Sequence, residues 1–152
     1  MADTNWKPSK TLIENLIDIA SKDGNYLLNI GPKADGTFPE VSIDRLKDIG
    51  LWMKVNGEAI YGTKASLIDP IIWGRCTSKD SKKGTTLYLS VLDWPKNGKL
   101  ILQNLNNSVI LAKLLASNKK LKTTFFKRNG LTINVPLEAP DKVATVIKIE
   151  VK

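Results

Sequence analysis

A chain of 152 residues with 42% apolar and 25% charged side chains is globular, and it is long enough for one domain or for a small domain joined to part of another. The complete absence of histidine and the single cysteine, Cys76, exclude an internal disulfide framework, argue against a zinc site and remove the commonest general base; no cofactor is expected. The formal charge of +8 is uneven: residues 1–63 carry seven Lys/Arg against nine Asp/Glu, residues 64–152 sixteen against six. That is a net −2 followed by a net +10. A basic half suits nucleic acid or an acidic glycan. Its lysines are scattered along strands and turns without interleaved aromatics, however, which reads as a soluble surface, and no nucleic-acid partner is expected. No run of about 20 apolar residues exists to span a membrane. Met1–Asn5 reads as neither a signal peptide nor a transit peptide.

In chain order, Trp6-Lys7-Pro8-Ser9 is a loop. Ser9 or Thr11 is placed to cap a following helix, and Thr11 with Glu14 has capping-box spacing. Leu12, Ile13, Leu16, Ile17, Ile19 and Ala20 form an apolar stripe at helical spacing. Gly24 suits the left-handed exit. Tyr26–Ile30 then reads as a strand that is apolar without alternation, the pattern of a parallel strand covered on both sides. Gly31–Pro39 is a loop beyond it. A second helix starts at Glu40 or Ser42, buries Ile43, Leu46, Ile49, Trp52 and Met53, and ends at Asn56-Gly57. Helix, buried strand, loop, helix is the repeat of an α/β barrel or a doubly wound sheet. A lone parallel strand leaves its backbone groups unpaired. The expectation is therefore that the sequence is the tail of something larger, with the missing strands upstream or on another chain.

Beyond about Thr63 the pattern turns to β. Strands are predicted over Ile71–Thr77, Thr85–Asp93, Leu100–Leu102, Val109–Leu115, Leu121–Lys127 and Leu131–Val135, with a last one around Ile147, Ile149 and Val151. Lys79–Gly84 is predicted as a polar loop. Asn97-Gly98 and Asn129-Gly130 are hairpin-turn signals. Six or seven short strands with frequent turns predict an antiparallel sandwich.

Leu27-Leu28-Asn29-Ile30-Gly31-Pro32-Lys33-Ala34-Asp35-Gly36-Thr37 closely resembles the signature of the α-L-fucosidases, a glycoside hydrolase family. Asp3–Lys7, the Leu12–Lys22 helix, Trp52–Thr63, Ile72–Thr77 and Leu92–Pro95 resemble flanking segments in the same order. The resemblance implies a fold made of an α/β fragment, the last helix–strand–helix of a TIM-like (β/α)8 barrel, over residues 1–63, followed by an all-β antiparallel sandwich over residues 64–152. It implies the C-terminal portion of a retaining enzyme that removes terminal α-L-fucose from glycans. That chemistry needs two carboxyl groups about 5 Å apart, and the family's nucleophile and acid/base lie upstream of the signature. No catalytic residue carries over, and the chain alone is expected to be inactive. The family is often periplasmic, secreted or lysosomal.

By the geometry of a barrel, Trp6, Asn29 and Asp35 fall on its active face and are the substrate-adjacent candidates: a ring to stack on a sugar, an amide donor and a carboxylate. Each has a structural reading too, as a packed loop ring, a group binding neighbouring backbone, and an Asp-Gly turn. Fucosylated glycans are the expected ligands, through the complete enzyme. Self-association through the incomplete barrel is expected of the isolated chain, unless residues 1–63 pack on the sandwich or remain incompletely ordered. The alternative is a non-catalytic carbohydrate-binding or interaction module, which calls for exposed aromatics clustered on one sandwich face.

Overall fold

A computed structural model describes residues 5–66, 68, 71–82, 84–103, 105, 107–126 and 130–152. Two helices, α1 (Ser9–Ala20) and α2 (Glu40–Asn56), precede eight strands: β1 (Lys64–Ala65), β2 (Gly74–Ser81), β3 (Gly84–Val91), β4 (Lys99–Leu102), β5 (Val109–Leu114), β6 (Thr123–Phe126), β7 (Gly130–Asn134) and β8 (Thr145–Val151). All pairings are antiparallel. One sheet has the order β1-β2-β3-β8-β5, the other β4-β7-β6.

The period-two alternation positions the sandwich. Leu87, Leu89 and Val91 of β3, with Ile147, Ile149 and Val151 of β8, face Leu100, Leu102, Leu131 and Ile133 of the second sheet across one buried core. Cys76 is buried in that core, and burial pushes its thiol up to about 11. Two tryptophans tie its margins: Trp73 Nε1 donates to Ile101 O at 3.1 Å and Trp94 Nε1 to Pro136 O at 2.9 Å.

The five-stranded sheet is covered on its other face as well. Ile13 and Ile17 of α1 and Trp52 of α2 pack with Ala59, Tyr88, Ala144 and Val146 into a second buried cluster. Of the fates expected for residues 1–63, α1 and α2 take the packing on the sandwich. Polar contacts fix the angle. Trp52 Nε1 donates to Ala144 O at 3.0 Å, 92 residues away. Thr77 Oγ1 donates to Ala59 O at 2.7 Å. Asp18 of α1 accepts from Arg75 Nε of β2 at 2.5 Å and from Lys22 Nζ at 2.6 Å. Glu58 Oε1, in the short turn of 3₁₀ helix after α2, accepts from Tyr88 Oη at 2.7 Å and Lys148 Nζ at 2.6 Å. Hydrogen bonds from Lys22 and then Arg75 hold the Asp18 carboxyl below its ordinary range, and that from Lys148 does the same for Glu58.

Several local expectations are corrected. No strand forms over Tyr26–Ile30: residues 24–33 have no regular structure, and Leu27 is 89% exposed. The physical reason is the one that made a lone strand untenable, since no described strand offers its edge to this segment. The Thr11–Glu14 capping box is absent because α1 starts earlier, behind Pro8, whose φ of −61° is already preset. Glu14 pairs with Lys10 at 3.7 Å instead, and Ser9 Oγ donates to Asp48 of α2. The left-handed exit residue is Asp23 (φ 62°), and a Cβ on Gly24 would press against the Ile19 side chain at 2.9 Å. Ile43 and Leu46 stay exposed, at 37% and 40%, because nothing described covers that part of α2. The predicted loop at Lys79–Gly84 is largely strand, with Ser81 paired to Gly84.

Asn97-Gly98 does turn the chain, but β3 and β4 do not form a hairpin. Both edges of β3 are taken by β2 and β8, so the turn delivers β4 to the other sheet. At the second signal Asn129 lies outside the described residues, while β6 and β7 do pair as expected. Gly130, at φ 77°, has no room for a Cβ beside Leu102 O.

Replacing Trp52 by Ala removes the ring that joins both helices to Ala144 and Val146. It is expected to cost about 3–5 kcal/mol and lower Tm by roughly 10 °C, read by thermal and urea unfolding. Acid is expected to loosen the same junction. Asp18 and Glu58 have lowered pKa values when folded, so their contribution is complete above their unfolded values of about 4 and is lost as pH falls through the folded values. Tm measured from pH 6 to 2 should drop in that acid window, and the Asp18→Asn/Glu58→Gln variant should show a shallower drop.

Candidate functional site

The helices and the irregular segment between them enclose a cleft of about 680 Å³. Leu12 and Asn15 of α1 form one wall, Ser42, Arg45 and Leu46 of α2 another, and residues 26–31 a third; residues 5–7 close it. Helical spacing produces these walls: Leu12 with Asn15, and Ser42 with Arg45 and Leu46, recur three and four residues apart on one side of each helix. Arg45 Nε donates to Lys7 O at 3.0 Å, fixing the loop that carries Trp6 against α2.

Two of the three sequence candidates meet here. Trp6, 38% exposed, and Asn29 both line the cleft. Asp35 does not. It sits in an exposed turn where its Oδ1 accepts from Thr37 N at 3.0 Å and Thr37 Oγ1 at 2.7 Å, while Gly36 takes φ 80°. Those two bonds, the backbone one foremost, hold its carboxyl below the ordinary range.

Sequence reasoning missed Asn15, Ser42 and Arg45. Asn15 and Arg45 had a signal, as polar residues in register with the cleft-facing stripe of their helices; Ser42 had none. Ser42 is the most informative. It is 3% exposed, and its Oγ is the one buried side-chain polar atom without a hydrogen-bond partner among the described residues. An unsatisfied buried hydroxyl costs free energy, of the order of 1–3 kcal/mol, until a partner arrives.

The lining supplies two aromatic rings (Trp6 and Tyr26), three amides (Asn5, Asn15 and Asn29), the Ser42 and Tyr26 hydroxyls, an ammonium and a guanidinium. It can bind and orient a polar molecule, or receive further polypeptide. No Asp or Glu lines it among the described residues, so it does not bring together the two carboxyl groups of glycoside hydrolysis. Among the described residues no cluster of His, Cys, Asp or Glu is arranged to hold a metal ion, and no helix is long and apolar enough to cross a membrane.

With this geometry in view, two family profiles match in succession. Residues 1–58 match Alpha-L-fucosidase, and residues 67–150 match the Alpha-L-fucosidase C-terminal domain. The plasma α-L-fucosidase of Rattus norvegicus is 37% identical over 132 residues, 82% of this chain and 28% of that protein. The tissue α-L-fucosidase of Homo sapiens is 34% identical over 146 residues, 94% of this chain and 31% of that protein. Among solved structures, α-L-fucosidase isoenzyme 1 from Paenibacillus thiaminolyticus superposes with a TM-score of 0.87 at 35% identity, covering 99% of this chain and 36% of that one. A Bacteroides thetaiotaomicron α-L-fucosidase of family GH29, trapped as a covalent intermediate, gives 0.87 at 26% identity over 96% of this chain and 33% of its own. The chain thus spans less than a third of the length of the two relatives above.

Exposure of Leu27 generates a direct test. Leu27→Asp in the 152-residue chain should shift its unfolding free energy by less than about 0.5 kcal/mol in urea titration, because the side chain is already in water. A loss of several kcal/mol would mean that the segment is packed as a core strand.

Proposed function

Because the chain belongs to the α-L-fucosidase family, we propose that it serves as the C-terminal portion of a retaining α-L-fucosidase, which removes terminal α-L-fucose from glycans. Residues 1–63 form the end of its (β/α)8-like barrel, and residues 64–152 are the sandwich that buttresses it. The observation that carries this reading is Tyr26–Ile30: four apolar residues among five, between two helices, held without strand partners along a cleft. Given neighbouring strands, this segment pairs and becomes the buried barrel strand its composition describes. Exposed Phe38, Ile43 and Leu46 belong to the same uncovered side.

In this assembly Trp6 and Asn29 stand at the mouth of the barrel, where the ring stacks on a sugar and the amide donates to it or to a neighbouring catalytic group. Asp35 shapes the loop beyond the strand. The nucleophile and acid/base come from the rest of the enzyme. The sandwich's contribution is mechanical: Trp52, Thr77, Arg75 and Glu58 hold both helices at a set angle, and with them the two helical walls of the cleft. For the isolated chain, the uncovered apolar side favours self-association. The glycan-binding-module alternative gains little support, since Phe125 and Phe126, 53% and 50% exposed, are successive residues of β6 and point to opposite faces.

The test is hydrolysis of 4-nitrophenyl α-L-fucopyranoside by the chain alone and by a fusion to the upstream segment of the Paenibacillus enzyme. The chain alone should show no turnover, the fusion should turn over, and Leu27→Asp should abolish turnover in the fusion. Turnover by the 152-residue chain alone overturns the reading.

A further inference from the structure

The outer face of the five-stranded sheet carries an arrangement that antiparallel pairing normally avoids. Lys113 of β5 lies directly opposite Lys148 of β8, and on its other side directly opposite Lys120 through an isolated antiparallel bridge. Directly paired residues share a face, so three lysines stand in a row on one face, on backbones about 4.8 Å apart. Like charges placed so destabilise a sheet.

Close ion pairs form at one end of the row only, although the field of Glu58 also reaches Lys113. Lys148 Nζ lies 2.6 Å from Glu58 Oε1 and 4.0 Å from Glu150 Oε1. Lys113 has an amide and no carboxylate at ion-pair distance: its Nζ donates to Asn118 Oδ1 at 2.7 Å, with Asn118 held at φ 56° in the turn that brings Lys120 back. Among the described residues, Lys113, Lys119 and Lys120 make no ion pair, and Lys119 and Lys120 are exposed.

We propose that the Lys113–Lys120 end of this row binds a single oxyanion, a sulfate ester carried on a glycan. The patch is short. Glu58 and Glu150 bound it on the Lys148 side and repel any extended polyanion, so an isolated charged group fits where a nucleic-acid backbone does not. The ammonium groups of two directly opposed residues, Lys113 of β5 and Lys120 of the returning segment, can donate to different oxygens of one sulfate. The glycan half of the proposal rests on the family reading above; the oxyanion half rests on the row alone.

The experiment is an NMR titration of the 152-residue chain at constant ionic strength, followed at the amides of Lys113, Asn118 and Lys120. The probes are Lewis x trisaccharide, its 3′-sulfated form, inorganic sulfate and a short DNA duplex. The sulfated trisaccharide should bind about tenfold more tightly than the unsulfated one. Lys113→Gln/Lys120→Gln should erase that preference, and Lys99→Gln, on the other sheet, should keep it. The double variant removes a like-charge contact, so it should melt no lower than the native chain, which separates lost binding from lost folding. Equal binding of the two trisaccharides, an equal loss in Lys99→Gln, or tighter binding of DNA overturns the proposal. Sulfate binding without preference for the sulfated glycan refutes the glycan assignment. Should the fusion show no fucosidase turnover while the sulfated trisaccharide still binds at Lys113 and Lys120, the function above fails and this site stands.

Discussion

Burial of one sheet on both faces is the constraint from which the rest follows. β3 presents Leu87, Leu89 and Val91 to the sandwich core and Tyr88 to the helices, and β8 does the same with Ile147, Ile149 and Val151 on one side and Val146 on the other. A sheet apolar on both sides must be covered twice. The three-stranded sheet supplies one cover and the α1–α2 pair the other. The helices are therefore held by what the sandwich needs, whatever else they meet on their far side.

This explains why the junction is more specific than a hydrophobic contact alone. Burying the Tyr88 phenol obliges its hydroxyl to find an acceptor, and Glu58 provides one while also neutralising Lys148. Trp52 likewise satisfies its indole N–H on Ala144 O. Each bond is a geometric condition on the helices. Through Arg45 and Lys7 the condition extends to the loop holding Trp6. A cleft positioned by a rigid sheet is what a substrate-facing surface requires.

The sandwich was largely legible in the sequence because period two is a local signal. Leu131, Ile133 and Val135, and Ile147, Ile149 and Val151, alternate wherever they are placed. Pairing was less legible. Asn97-Gly98 announces a turn, but whether β4 returns along β3 depends on β2 and β8 having already occupied both edges. Arg75 and Asp18, 57 residues apart, give no local sign of meeting. Within the cleft, Asn29 and Trp6 could be placed from the resemblance and barrel geometry. Ser42 could not, since a serine three residues into a helix looks like any exposed polar position until its burial is seen. Tyr26–Ile30 is the instructive miss. Its apolar run without alternation reads as a covered strand, and the segment has no regular structure where no described strand lies beside it.

The position of β8 in the sheet has a consequence for biosynthesis. It is the last strand in chain order, yet it lies between β3 and β5 and directly follows Ala144, the residue that anchors Trp52. As the polypeptide leaves the ribosome, β3 and β5 emerge with open edges facing a gap, and the helices emerge before the surface that fixes them exists. No segment that precedes β8 can close this sheet. Completion is an abrupt, late event dominated by contacts distant in sequence, a topology that folds slowly and leaves nascent edges exposed. Until β8 pairs with both neighbours, the facing edges of β3 and β5 stay open.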